Sequence, residues 1–272
     1  MATSVDEPNK DVLDQEPPEI ADRASDVGRE RLSRGNLDTL LTAAIGGAEV
    51  SMGGLASMAV VGSALAAAPG LDLYPALALG GLAFPIGFLL VILGRSELFT
   101  ENFLIPVVAV FNRERSLVSL AELWGVSWLG NLVGCAAMAL LLSLPQAIGE
   151  PILGGYRAYT EYKLAVPLPG VLASAVLAGA VMTALTWLLL ALPEALGKMA
   201  AIFAAGYLLF AANLSHSMVG AAVLLVGFGP ARHGLADVLT WILAATAGNV
   251  VGGVGLVALF RIAQVKAKQL AQ

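Results

Sequence analysis

The residues whose chemistry stands out sit inside long apolar runs. His216 is the one histidine within such a run, and its imidazole can donate a hydrogen bond or exchange a proton near neutral pH. An ionisable group at membrane depth costs several kcal/mol, so it is a functional candidate, set against a histidine that merely bonds a neighbouring helix. The other, His233, lies in a polar loop beside Arg232 and is assigned no role. Lys163 directly precedes an apolar segment, where an ammonium at an outer mouth would concentrate anions; a solvated loop lysine is the competing reading. Asn131 and Asn249 each sit between glycines that permit close helix approach, and their amides could bond irregular backbone or line a path. Glu49 and Arg95 also fall within apolar runs. Counted along their helices, both belong to the cytoplasmic half, and an ion pair between them would spare each the cost of standing alone.

No metal-ligand cluster, nucleotide-binding loop or catalytic-triad spacing is present in the sequence, so neither an enzyme nor a cofactor is expected, and no nucleic acid is expected as partner. Cys135, the one cysteine, reads as a buried small residue that cannot form an intrachain disulfide.

These side chains need a scaffold, and composition defines its class. Of 272 residues, 58% are hydrophobic and 13% charged, and 30 are glycine. Soluble domains are roughly 45–50% apolar. Runs of about 20 apolar residues are long enough to cross a hydrocarbon layer of roughly 30 Å. The alternation of a membrane barrel is absent, so an all-α membrane protein is expected.

Six transmembrane segments are expected, at residues 40–65, 77–111, 120–142, 171–192, 199–228 and 238–260. The second is interrupted by Arg95-Ser96-Glu97 and the fifth by Asn213-Leu214-Ser215-His216-Ser217. A continuous helix would drag these polar groups through lipid, whereas a helix broken over a cavity is tolerated. Trp124 and Trp128 in the third suit an interface belt or a subunit contact. Residues 1–36 form an acidic lead expected to be a disordered cytoplasmic tail; 37–264 are expected to form a six-helix transmembrane domain, and 265–272 a cytoplasmic C-terminal tail. With the amino terminus inside, ten Lys and Arg residues, including Arg23, Arg34, Arg113, Lys198 and Lys268, are cytoplasmic, against Arg157, Lys163 and Arg232 outside. The positive-inside rule therefore places both termini in the cytoplasm.

The string G-N-x-V-G occurs twice, as Gly130-Asn131-Leu132-Val133-Gly134 and Gly248-Asn249-Val250-Val251-Gly252. Glu97 precedes Asn131 by 34 positions and His216 precedes Asn249 by 33. Three segments per copy is an odd number, so two repeats would lie inverted in the membrane.

Ser96-Glu97-Leu98-Phe99-Thr100-Glu101-Asn102 and Trp128-Leu129-Gly130-Asn131-Leu132-Val133-Gly134, followed by Gly197-Lys198-Met199-Ala200-Ala201-Ile202-Phe203, His216-Ser217 and Gly248-Asn249, resemble the formate/nitrite transporter family. The resemblance spans nearly all of residues 40–261 and rests on the combined order of the motifs. It implies an aquaporin-like fold assembled as a homopentamer in a bacterial or archaeal cytoplasmic (inner) membrane, with a pore in each protomer. The implied solute is a small monovalent anion such as formate, nitrite, hydrosulfide, acetate or lactate. It further implies that Leu98, Phe99 and Thr100 form the loop of the broken second helix, that Phe84, Phe88 and Leu209 form apolar constrictions, that His216 lies between them and that Lys163 stands in the outer vestibule. A bare anion between apolar rings is badly desolvated and its neutral acid is not, so a hydrogen bond or proton supplied by His216 would ease passage. The sequence departs from the family at Gly220 and Thr183, where asparagine is usual, and at Ser215, where glutamate is common; Glu49 and Arg95 are also unusual there. Two other readings stay open: a pore for a neutral small solute, and a membrane scaffold or sensor that transports nothing.

Overall fold

The structure is a computed structural model describing residues 15–228 and 233–271, and the described residues are helical throughout apart from turns. In chain order the helices are α1 (Pro17–Arg31), α2 (Asn36–Ala67), α3 (Leu73–Gly80), α4 (Pro85–Leu93), α5 (Ile105–Phe111), α6 (Leu117–Leu142), α7 (Glu150–Ala165), α8 (Leu168–Ala191), α9 (Ala195–Ala211), α10 (Ser217–Gly227), α11 (Leu235–Val250) and α12 (Leu259–Ala271). A 3₁₀ turn, Phe99–Phe103, precedes α5, and a π-helical stretch, Val251–Ala258, joins α11 to α12. Five stretches are long and apolar enough to cross a membrane: Asn36–Ala67, Leu73–Leu93, Leu117–Leu142, Leu168–Ala191 and Leu235–Leu270. Shorter apolar helices lie at Phe99–Phe111, Ala195–Ala211 and Ser217–Gly227.

Local sequence explains where helices start and stop. Prolines stand in the first turns of α4, α5, α7 and α8, where the missing N–H leaves no bond unmade. Arg95 ends α4 in the left-handed region at φ 63°, and Asn213 ends α9 at φ 53°. In both cases the next residue closes the helix five residues back, Ser96 N–H on the Val91 carbonyl at 3.1 Å and Leu214 N–H on the Leu209 carbonyl at 2.9 Å. The chain then runs extended through Leu98 and His216 before a new helical turn begins.

The core is built by close backbone approach. A Cβ on Gly47 would lie 2.1 Å from the Asn131 carbonyl oxygen, and one on Gly179 would lie 2.1 Å from that of Asn249. Only hydrogen at these positions lets α2 seat on α6, and α8 on α11, at this depth.

One expectation about the ends is corrected. Residues 17–31 are not an irregular tail but a helix whose face of Ile20, Ala24 and Gly28 packs into a cluster with Leu104 and Val108 beside α5 and with Ile262 and Val265 of α12. Its acidic residues, Glu19, Asp22, Asp26 and Glu30, are on the exposed face, so an acidic composition conceals an amphipathic helix. Residues 1–14 of that tail lie outside the described residues, as does Arg232. The C-terminal residues 265–271 continue α12, where Lys268 pairs with Glu16. Trp124 and Trp128, expected at an interface belt or a subunit contact, are half-buried and donate to the Asn102 carbonyl at 2.9 Å and to Thr246 Oγ1 at 3.0 Å.

Candidate functional site

Each interrupted segment is held open by one buried asparagine. Asn131 Oδ1 accepts from the Phe99 N–H at 2.8 Å, and its Nδ2 donates to the carbonyls of Glu97 at 2.8 Å and Ala43 at 2.7 Å. Asn249 does the same in the other break, with the Ser217 N–H at 2.9 Å, the Ser215 carbonyl at 2.9 Å and the Ala175 carbonyl at 2.8 Å. The sequence separations match: 32 residues to the donor and 34 to the acceptor in both. A break strips backbone groups of their helical partners, and a primary amide with one acceptor and two donors replaces two of them at once, its third bond going to a carbonyl of α2 or α8. The matching also corrects the alignment of the two breaks by one position: the counterpart of His216 is Leu98, and Ser215 answers Glu97.

His216 and Thr100, one from each break, meet in the interior with no exposed surface, His216 Nε2 lying 2.9 Å from Thr100 Oγ1. The Val219 N–H donates to His216 Nδ1 at 3.2 Å. A ring nitrogen that accepts carries no proton, so the neutral ring holds its proton on Nε2 and donates it to the threonine hydroxyl.

Aromatic rings connect this pair to Lys163. Phe88 stands 6.2 Å from the His216 ring and 4.9 Å from Phe84; Phe84 stacks on Phe210 at 5.1 Å, and Phe210 on Tyr159 at 5.8 Å. Lys163 Nζ then lies 5.5 Å from the centre of the Tyr159 ring. Leu209, adjacent to Phe210 on α9, is buried too. Phe99 is set apart: its ring belongs to a separate cluster with Phe103 at 5.0 Å and Trp124 at 6.1 Å. Lys163 is not a solvated loop residue. It sits in α7, outside the spanning segments, 2% exposed, and donates to the carbonyls of Asn213 at 2.6 Å and Leu214 at 3.3 Å. Burial pushes its ammonium down to about 7.

A cavity of about 570 Å³ opens between α1, the first break and α8. Arg31, Arg34, Arg95, Lys198, Glu97 and Glu101 are among its walls, and His216 is not. Arg34 pairs with Glu97, which also accepts from Asn102 Nδ2 at 2.5 Å; Arg31 lies 3.6 Å from Glu101 and donates to Asn102 Oδ1 at 2.9 Å. The expected Glu49–Arg95 ion pair is absent. Ser96 Oγ donates to Glu49 instead, and Arg95 is exposed at the cavity wall. The left-handed turn at Arg95 carries its side chain away from α2, and the hydroxyl next in sequence supplies the bond that Glu49 requires.

Sequence reasoning missed Tyr159, Phe210, Trp241 and the arginine pairs of Glu97 and Glu101. Phe210 was signalled by its place next to Leu209, and Arg31 and Arg34 by no local feature. Thr183 is buried, with its Oγ1 lacking a hydrogen-bond partner.

A family model described as formate/nitrite transporter matches residues 18–263. The chain is 28% identical over 245 residues to a probable formate transporter of Methanothermobacter thermautotrophicus, covering 79% of this chain and 84% of that protein. It shares its fold with an FNT family ion channel, at a TM-score of 0.77 and 22% identity over 89% of this chain and 96% of the other. The fold is also that of a pentameric formate channel with formate bound, at a TM-score of 0.68 and 17% identity, covering 83% and 95%. With two asparagine-braced breaks in an apolar helical scaffold and a family match over nearly its whole length, the chain belongs to the formate/nitrite transporter family.

Proposed function

We propose that this protein passes formate, nitrite or a similar small weak-acid anion across a bacterial or archaeal inner membrane, with proton movement linked to His216. The observation that carries this reading is the line of buried groups from Lys163 through Tyr159, Phe210, Phe84 and Phe88 to the His216–Thr100 pair. In it an ammonium attracts the anion, apolar rings strip its water, and the imidazole with its threonine offers a hydrogen bond or proton where charge is least tolerated. Leu98 and Leu209, buried beside the two breaks, complete the apolar constriction.

Six spans arranged as two inverted halves are the architecture we assign. The matched hydrogen bonds of Asn131 and Asn249, and the left-handed residue at the same point of each break, support it. Both termini lie in the cytoplasm by the charge bias. A homopentamer is supported by the likeness to a formate channel that is itself pentameric. A neutral-solute pore would be favoured by mutual neutralisation of Glu49 and Arg95, which form no pair.

Proteoliposomes loaded with a pH dye test the proposal. Formate and nitrite should enter with protons and faster than glycerol, and His216→Asn should abolish proton movement. Equal entry of glycerol, or proton uptake unchanged in the variant, would sink it.

A further inference from the structure

Trp241, on α11, is 5% exposed, and its indole Nε1 is buried without a hydrogen-bond partner. Buried indole N–H groups ordinarily find an acceptor, and the half-buried Trp124 and Trp128 each have one. The ring owes its position to Gly220: a Cβ there would fall 2.0 Å from Trp241 Cζ3, 2.5 Å from Cη2 and 3.1 Å from Cε3. That edge of the indole faces the bare backbone of α10, so Nε1, on the opposite edge, is turned away from it. Lys163 Nζ lies 5.6 Å from the Trp241 ring. The ammonium has three N–H donors, of which two go to the carbonyls of Asn213 and Leu214. Among the described residues, one ammonium N–H and one indole N–H thus remain without acceptors in the same neighbourhood.

We propose that Trp241 is a second anion-binding residue of the Lys163 site. It donates its indole N–H to one oxygen of a carboxylate or nitrite while Lys163 holds the charge and bonds the other. Two donors on rigidly held side chains favour an anion with two oxygens at a fixed angle over a halide, which offers a single centre. Gly220 determines this specificity indirectly, as the residue whose missing side chain admits the ring. The inference rests on the anion-transport reading above.

Initial rates of formate uptake into proteoliposomes of the full chain test it. Trp241→Phe keeps the ring and removes the donor, so KM for formate should rise about tenfold or more, the size of one hydrogen bond to an ion, with the maximal rate little changed. Competition by chloride should be unaltered. Gly220→Ala, which displaces the ring, should raise KM in the same way. Wild-type uptake with an unchanged KM in Trp241→Phe overturns the inference and leaves the transport reading intact; absence of formate uptake by wild type overturns both. Should the phenylalanine variant not assemble, the ¹⁵N-labelled wild type decides. One of its four tryptophan indole resonances should shift as formate reaches the concentration that saturates uptake, and no shift overturns the inference.

Discussion

Lys163 shows how much one side chain's setting determines its chemistry. A solvated lysine keeps its charge far above neutral pH, but burial in α7 brings the ammonium down to about 7. A group with a lowered value is charged below it and neutral above, so the charge that attracts the anion is lost as pH rises through about 7. A carboxylate stays ionised over that range. Formate uptake driven by a fixed concentration gradient should therefore fall on the alkaline side. Proton-linked uptake slows as protons become scarce in any variant, so Lys163→Arg, whose guanidinium does not deprotonate there, should decline less steeply than wild type between pH about 6 and 8. A matching decline in the arginine variant would remove Lys163 as the cause.

At the scale of elements, each broken segment depends on one amide. Asn131 makes two hydrogen bonds into the first break and one to α2, and Asn249 two into the second and one to α8. Replacement by leucine leaves two buried backbone groups of the break unsatisfied, at about 1–3 kcal/mol each, a large share of a single domain's stability. Asn131→Leu and Asn249→Leu should each lower the melting temperature of the detergent-solubilised protein by at least 10 °C or prevent assembly; a shift of a degree or two would mean that the breaks are held by other contacts.

For the molecule as a whole, α1 closes one wall of the cavity at the first break. Its apolar face packs beside α5 and α12, while Arg31 and Arg34, at and beyond its end, meet Glu101 and Glu97 in the first break. Breaking a buried pair by removing one partner costs on the order of 3–5 kcal/mol. Arg34→Ala should destabilise the protein by that order, and the double variant Arg34→Ala/Glu97→Gln should recover part of the loss. Thermal denaturation of the wild type, the two single variants and the double variant checks it, and additive losses would show that the two side chains are not coupled.

The apolar runs, the two interruptions, the histidine in one of them and the repeated glycine-asparagine string are all legible in the sequence, because lipid imposes a length on a helix and a cost on every polar group it meets. Those are properties of a residue and its near neighbours along the chain. The destination of each polar side chain is not legible, since it depends on how far a helix is rotated and what stands opposite. Glu49 takes Ser96 because a left-handed turn removes Arg95; Lys163 is buried because the second break offers it two carbonyls; Trp241 fits because Gly220 is bare. The acidic lead misleads for the same reason. Its charges dominate the composition, whereas the small apolar face that orders residues 17–31 gains meaning only against α5 and α12, which are distant in sequence and brought together by the fold.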